Sequence, residues 1–211
     1  MGTRNITRVI CDGEIKVNQY CQWDGYPTGR GAEVLKFMHS ILSDGRIYTF
    51  EKAVKKSKLF VQSEDSEIDT FYTGVPVFEH INDLISEEYK KHFNYFETIQ
   101  SAVEKNIITR NEATYLMLSC RDTGNIILEY MLDYCPCGMV FYTNSYTYEI
   151  SEALDWQIEG MFIIDLDNET VKICYHDSVK EYSFNTIKKM DDELIDSDME
   201  MFEESEQDEV F

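Results

Sequence analysis

The sequence predicts an α+β fold: a mostly antiparallel sheet with several helices packed on one face, followed by an acidic C-terminal tail. Three observations predict it. Asp12-Gly13 joins two short β-branched runs near the N-terminus. Apolar residues then recur at helical spacing through the middle of the chain. From residue 138 the pattern returns to short strands. Helices and strands segregated in this way favour α+β over a doubly wound sheet.

The elements follow in order. Ile6–Cys11 and Glu14–Tyr20 flank Asp12-Gly13, and a two-residue turn there pairs Ile10 with Ile15. Residues 22–31 (QWDGYPTGRG) hold three glycines and a proline and read as a loop. Val34, Leu35, Met38, Ile41 and Leu42 make a helical stripe that Asp44-Gly45 ends. Phe50–Ser57 reads as a shorter helix. Leu59–Val61 and Phe71-Tyr72 read as short strands, and 83–106 as the longest helix. Thr109 and Glu112 form a capping box for the next helix. Asn125–Tyr134 is helical, Met139–Thr143 a strand, and Gly160–Leu166 with Thr170–Tyr175 a second hairpin. Val179–Phe184 supplies a further strand. Asp165 and Asp167 serve the second hairpin's turn.

The 211 residues suit one domain over 1–190 and an acidic tail over 191–211. A 43% hydrophobic content supports a real core. The net charge of −21 comes from 40 acids against 19 Lys and Arg. A chain this acidic repels nucleic acid and anionic membrane, so neither is expected as a direct partner. Lys52, Lys55, Lys56 and Lys58 form the one local basic run, which reads as a solvated helix face. No run approaches the ~18 apolar residues of a membrane span. No secretory h-region precedes the first strand, and the six cysteines then point to free thiols in a reducing compartment. The expected location is cytoplasmic.

The acid is concentrated at the end. Residues 191–211 hold eleven acids and no Lys or Arg. Apolar residues interleave with them. Such a segment either stays solvated or folds against a basic, apolar partner groove. Asp191, Asp192, Glu193, Asp196, Asp198 and Phe202 are the candidate partner-binding residues.

The QWDGYPTGRG loop is the second candidate site. Its glycines permit close backbone approach. The helix behind it offers unpaired N–H groups to an anion. Trp23 and Tyr26 can stack on a ring, Arg4 and Arg30 can pair a phosphate or carboxylate, and Asp24 can act as a base. Arg4, Trp23, Asp24, Tyr26, Gly29, Arg30 and Gly31 are therefore the candidate ligand residues. The same residues also suit a structural role, with the rings capping the core and the glycines shaping the helix start. No Gly-Lys-Ser/Thr follows, so the loop is not a P-loop.

Gly2-Thr3-Arg4, a hairpin, and Gln22-Trp23-Asp24-Gly25-Tyr26-Pro27-x-Gly29-x-Gly31 opening a helix resemble a family of small proteins of bacteriophages and their hosts. Ile163-Ile164-Asp165-Leu166-Asp167 and Val171–Tyr175 resemble that family's C-terminal hairpin. The resemblance covers about the first 40 residues and the region near 156–184. It implies a phage or phage-host setting and no particular reaction.

Other chemistry is less specific. Cys135, Cys137, Cys174 and His176 pair at i and i+2, a spacing foreign to common zinc sites, and no metal or cofactor is expected. No Gly-x-Ser-x-Gly elbow accompanies the four histidines. The leading expectation is a non-enzymatic acidic protein that engages a basic host protein surface, inhibiting a nucleic-acid-handling defence protein. The alternative is a nucleotide-like or other anionic ligand bound, or hydrolysed, at the QWDGYPTGRG loop.

Overall fold

The computed structural model describes residues 2–60, 77–78, 101–108, 124–134, 141–144 and 158–208. Strand β1 (Asn5–Cys11) turns through Asp12 and Gly13, at φ 56° and 72°, into β2 (Glu14–Cys21). Both turn residues adopt the left-handed region that an Asp-Gly turn favours. Ile10 pairs with Ile15 as the spacing predicts, and a register shift follows between Val9 and Ile10.

Two helices come next, α1 (Ala32–Ser43) and α2 (Ile47–Lys56). The α1 stripe is buried through Val34, Leu35, Met38 and Ile41. Helix α2 starts three residues before the expected Phe50, behind a turn in which the Asp44 carboxylate accepts from Arg46 N (3.1 Å). Strands β3 (Lys58–Phe60), β4 (Val77–Phe78) and β5 (Phe141–Asn144) form a small sheet in the order β3-β5-β4. Helix α3 (Ile126–Tyr134) lies where the sequence places it. Residues 101–104 are helical and the chain turns at 105–106, where the expected long helix ends, while its residues 83–100, the strand at 71–72 and the capping-box helix lie outside the described residues.

The C-terminal strands are β6 (Gly160–Asp165), β7 (Thr170–Tyr175) and β8 (Ser178–Ser183), followed by the short helix α4 (Phe184–Ile187). The main sheet runs β2-β1-β6-β7-β8. Its β1–β2, β6–β7 and β7–β8 pairs are antiparallel, while β1 and β6 are parallel. The two hairpins thus share one sheet and meet in parallel. Their turns are tied together: Asp167 accepts from Asp12 N and Gly13 N, each at 2.8 Å.

The period of two divides each strand between two faces. Val9, Val17, Phe162, Ile164, Val171 and Ile173 point to the main core with the helices. Ile6, Met161, Ile163 and Cys174 form a second buried cluster on the opposite face.

Residues 192–208 form α5 (Asp192–Asp208), which is not set apart from the domain. Its Ile195, Met199 and Phe202 belong to the same core as α1 and β7. These three sit at i, i+4 and i+7, one face of a helix. The boundary drawn at residue 190 from charge is therefore corrected: the acidic segment carries a core stripe. No helix among the described residues is long and apolar enough to cross a membrane.

Candidate functional site

The QWDGYPTGRG loop crosses the end of the sheet where β1 and β6 begin. Gly25 N donates to Thr3 O (3.1 Å), and Gly25 O lies so close to Gly160 that a Cβ built on Gly160 would stand 2.2 Å from it. Asp24 turns the chain at φ 57°, and its carbonyl accepts from Arg30 N (2.9 Å). Pro27–Gly31 then closes a wide turn in which Tyr26 O accepts from Gly29 N and Gly31 N. A Cβ on Gly29 would lie 2.8 Å from Asp24 O, so this close approach requires glycine.

The anion predicted at this helix start is present within the chain itself. Glu203 of α5 accepts from Thr28 N (3.2 Å) and Thr28 Oγ1 (2.6 Å). The carboxylate takes one backbone N–H and one hydroxyl there, as a ligand's could.

The candidate ligand residues do not converge. Trp23 and Tyr26 stand about half exposed, Trp23 against Gly2 and Tyr26 beside the Tyr175 ring (centroids 6.2 Å apart). Arg4 contributes its carbonyl, which accepts from Glu159 N and Gly160 N. Gly31 is buried at the start of α1. Arg30 lines a different feature, a groove of about 560 Å³ between α1 and α3 that none of Trp23, Asp24 and Tyr26 lines.

In that groove Arg30 Nη1 donates to Glu33 (2.7 Å), and Asn125 Nδ2 donates to the same carboxylate (3.0 Å). Burial works against the Arg30 charge, and Glu33 more than offsets it, so the guanidinium is held above its ordinary value. Arg30 Nε and Asn125 Oδ1 are buried without a hydrogen-bond partner among the described residues. A buried polar atom left unpaired costs about 1–3 kcal/mol. Sequence reasoning found Arg30 and missed Asn125, whose partner Glu33 lies 92 residues away.

The candidate partner residues divide by helix face. Asp191 caps α5 by accepting from Leu194 N (2.8 Å), and Asp192 and Glu193 are exposed. Asp196 is turned to Lys36 (2.7 Å). Asp198 accepts from Lys180 (2.8 Å) and from the Tyr182 hydroxyl (2.6 Å). Phe202 is buried, with Lys180 Nζ 5.8 Å from its ring centroid. Asp196, Asp198 and Phe202 are thus taken up within the fold. The outer face carries Leu194 and Met201, 50% and 57% exposed, among exposed Glu193, Glu200 and Glu204.

The Asp198 network gives a pH dependence. Burial raises the Asp198 pKa, but hydrogen bonds from Lys180 and Tyr182 outweigh it and hold the carboxyl below its ordinary value. A depressed folded pKa contributes stability above the unfolded value of about 3.9, lost as pH falls through the folded one. Melting temperature is therefore expected to drop as pH falls below about 5, and less steeply in Asp198→Asn. Parallel acid limbs for the two proteins would show that Asp198 does not carry the effect.

Three further groups resolve as structural. Cys174 is buried in the second cluster, and burial pushes its thiol up to about 11. β7 ends before His176, which turns at φ 48° with its ring against Tyr175, so Cys174 and His176 do not continue one strand face. Cys135 and Cys137 lie outside the described residues. Among the described residues the one grouping of three potential metal ligands is Cys11, Asp12 and Asp167. There the Asp167 carboxylate already accepts from the first hairpin's turn, while Asp165 serves the second, and Lys55 lies 3.5 Å from Asp12.

Compared with protein-family models, with curated proteins and with solved structures, the chain gives no match.

Proposed function

We propose that this chain is an acidic binding protein that engages a basic surface of another protein through the outer face of α5. One observation carries the reading. Leu194 and Met201, seven residues apart on one helix face, are exposed among Glu193, Glu200 and Glu204, while the inner face is fixed to the core. Exposed large apolar residues ringed by like charge suit a partner that is apolar at its centre and basic at its rim. The Lys36–Asp196, Lys180–Asp198 and Thr28–Glu203 contacts hold the helix in place, which lowers the ordering cost of binding.

The net charge of −21 adds long-range steering toward a basic partner. In the phage setting implied by the resemblance, a nucleic-acid-handling defence protein of the host has the required surface. The loop-ligand alternative receives less support, because Glu203 already occupies the Thr28 donors and the loop's rings do not share a groove with Arg30.

The test is affinity capture from host cells at low and moderate salt, with the intact chain and with a Leu194→Ala, Met201→Ala double variant. A basic protein recovered by the intact chain, lost as salt rises and depleted by the double variant is the expected result. Recovery indifferent to both salt and the variant contradicts the reading.

A further inference from the structure

The groove between α1 and α3 is independent of the α5 outer face and has its own chemistry. Its polar wall holds Arg30, Lys36 and Arg46 together with Glu33 and Glu129. Its apolar wall is Phe37, Ile41, Ile126 and Leu132. Asn125 stands immediately before Ile126, at the N-terminus of the nine-residue α3, and is only 8% exposed. Among the described residues its side-chain oxygen has no hydrogen-bond partner, nor has Arg30 Nε.

These two orphans differ in kind. Asn125 Oδ1 is an acceptor that needs a donor, and Arg30 Nε–H is a donor that needs an acceptor. The amide orientation follows from Glu33, since the nitrogen must face that carboxylate. Both side chains are hydrogen-bonded to Glu33, whose own side chain is 53% exposed. The Arg30 end of this pair is largely buried but the Glu33 end is half exposed, so the carboxylate can swing toward solvent without disturbing the core. When it shifts, Arg30 and Asn125 Nδ2 present donors at the α3 N-terminus, which favours a carboxylate.

A purely anionic ligand would meet Glu33 and Glu129. A purely cationic one would meet three basic side chains. A small molecule carrying both charges, with an apolar body, satisfies both sets and both orphans. We propose that this groove binds a zwitterionic α-amino acid with an apolar side chain. The ligand carboxylate pairs with Arg30 and the α3 N-terminus. The ammonium donates to Asn125 Oδ1 and Glu33. The side chain lies against Phe37, Ile126 and Leu132.

The experiment titrates the full chain calorimetrically with L-leucine and L-phenylalanine, and with 4-methylpentanoate, L-leucinamide and adenosine monophosphate as comparisons. The proposal expects saturable binding of at least one of the two amino acids at millimolar concentration or below. Removing either ligand charge is expected to weaken binding by about tenfold or more. Asn125→Leu is expected to abolish binding with little change in melting temperature, because it removes a buried unpaired acceptor together with one hydrogen bond to Glu33. An Asn125 whose role is structural alone would lower it by several degrees and leave the ligand titration of the folded protein unchanged. Absence of saturation by both amino acids overturns the proposal. So does equal or tighter binding of 4-methylpentanoate or adenosine monophosphate, and so does binding that survives Asn125→Leu. None of these outcomes bears on the α5 face, which the variant leaves intact.

Discussion

Deletion of residues 191–211 is expected to unfold the domain rather than trim a tail from it. The deletion removes Ile195, Met199 and Phe202 from the main core. Each such side chain contributes about 1.5–3 kcal/mol on burial, against a total stability of about 5–15 kcal/mol for a domain. It also strips Asp198 from Lys180 and Tyr182 and uncovers part of α1, against which α5 packs. Urea unfolding followed by circular dichroism checks this directly. The truncated chain is expected to lack a cooperative transition, or to show one at a much lower midpoint. Phe202→Ala alone is expected to cost about 3 kcal/mol. An unchanged midpoint on truncation would mean that α5 is an appendage. Binding experiments that compare chains with and without this segment would therefore confuse unfolding with loss of a contact. Substitutions on the outer face avoid that confusion.

Gly160→Ala is the second large expected effect. An added methyl at this position would lie 2.2 Å from Gly25 O and 3.1 Å from the Phe162 ring. The first obstacle is backbone, held by the Gly25 N–Thr3 O bond, so relief requires the loop or the start of β6 to move. Overpacking of this kind costs about 1–3 kcal/mol, which lowers Tm by about 2–4 °C per kcal/mol in a domain of this size. Gly13→Ala serves as a comparison. Its Cβ meets nothing within 4 Å, and its penalty comes only from φ +72°. The account expects Gly160→Ala to be the more damaging of the two. The reverse order would show that the loop is loosely seated on the sheet.

Local signals were legible in the sequence. Asp12-Gly13 was readable because both turn positions favour positive φ, and the observed pairing of Ile10 with Ile15 follows from a two-residue loop. Thr170–Tyr175 was readable from the polar turn that separates it from Gly160–Leu166, and α1 from its stripe. Non-local relations were not. The parallel pairing of Asn5 with Gly160 joins residues that no local pattern connects. Helix α5 departs from the expected tail for a different reason: charge dominates the composition of 191–211 and masks the i, i+4, i+7 spacing of Ile195, Met199 and Phe202. The cations that accept its inner acids, Lys36 and Lys180, come from distant α1 and β8.

The candidate sites show the same division. Arg30 was singled out as an anion partner, and it does hold a carboxylate, Glu33 of its own helix. Thr28 was passed over, although its hydroxyl and N–H receive Glu203. The signal for that contact was available only in the suitability of the helix start for an anion. Asp196 and Asp198 carry the same charge as Glu193 and Glu200 but face the fold, a difference that composition alone cannot show.

The most direct test of the α5 reading compares two variants of equal charge change against the captured partner. One carries Glu193→Gln, Glu200→Gln and Glu204→Gln on the outer face. The other carries Glu14→Gln, Glu104→Gln and Asp177→Asn, exposed acids outside α5. The account predicts that the first variant loses most of its binding and the second retains it, with both proteins folded. Equal losses in the two would contradict it, since binding would then follow the overall field of the protein and not the face of α5.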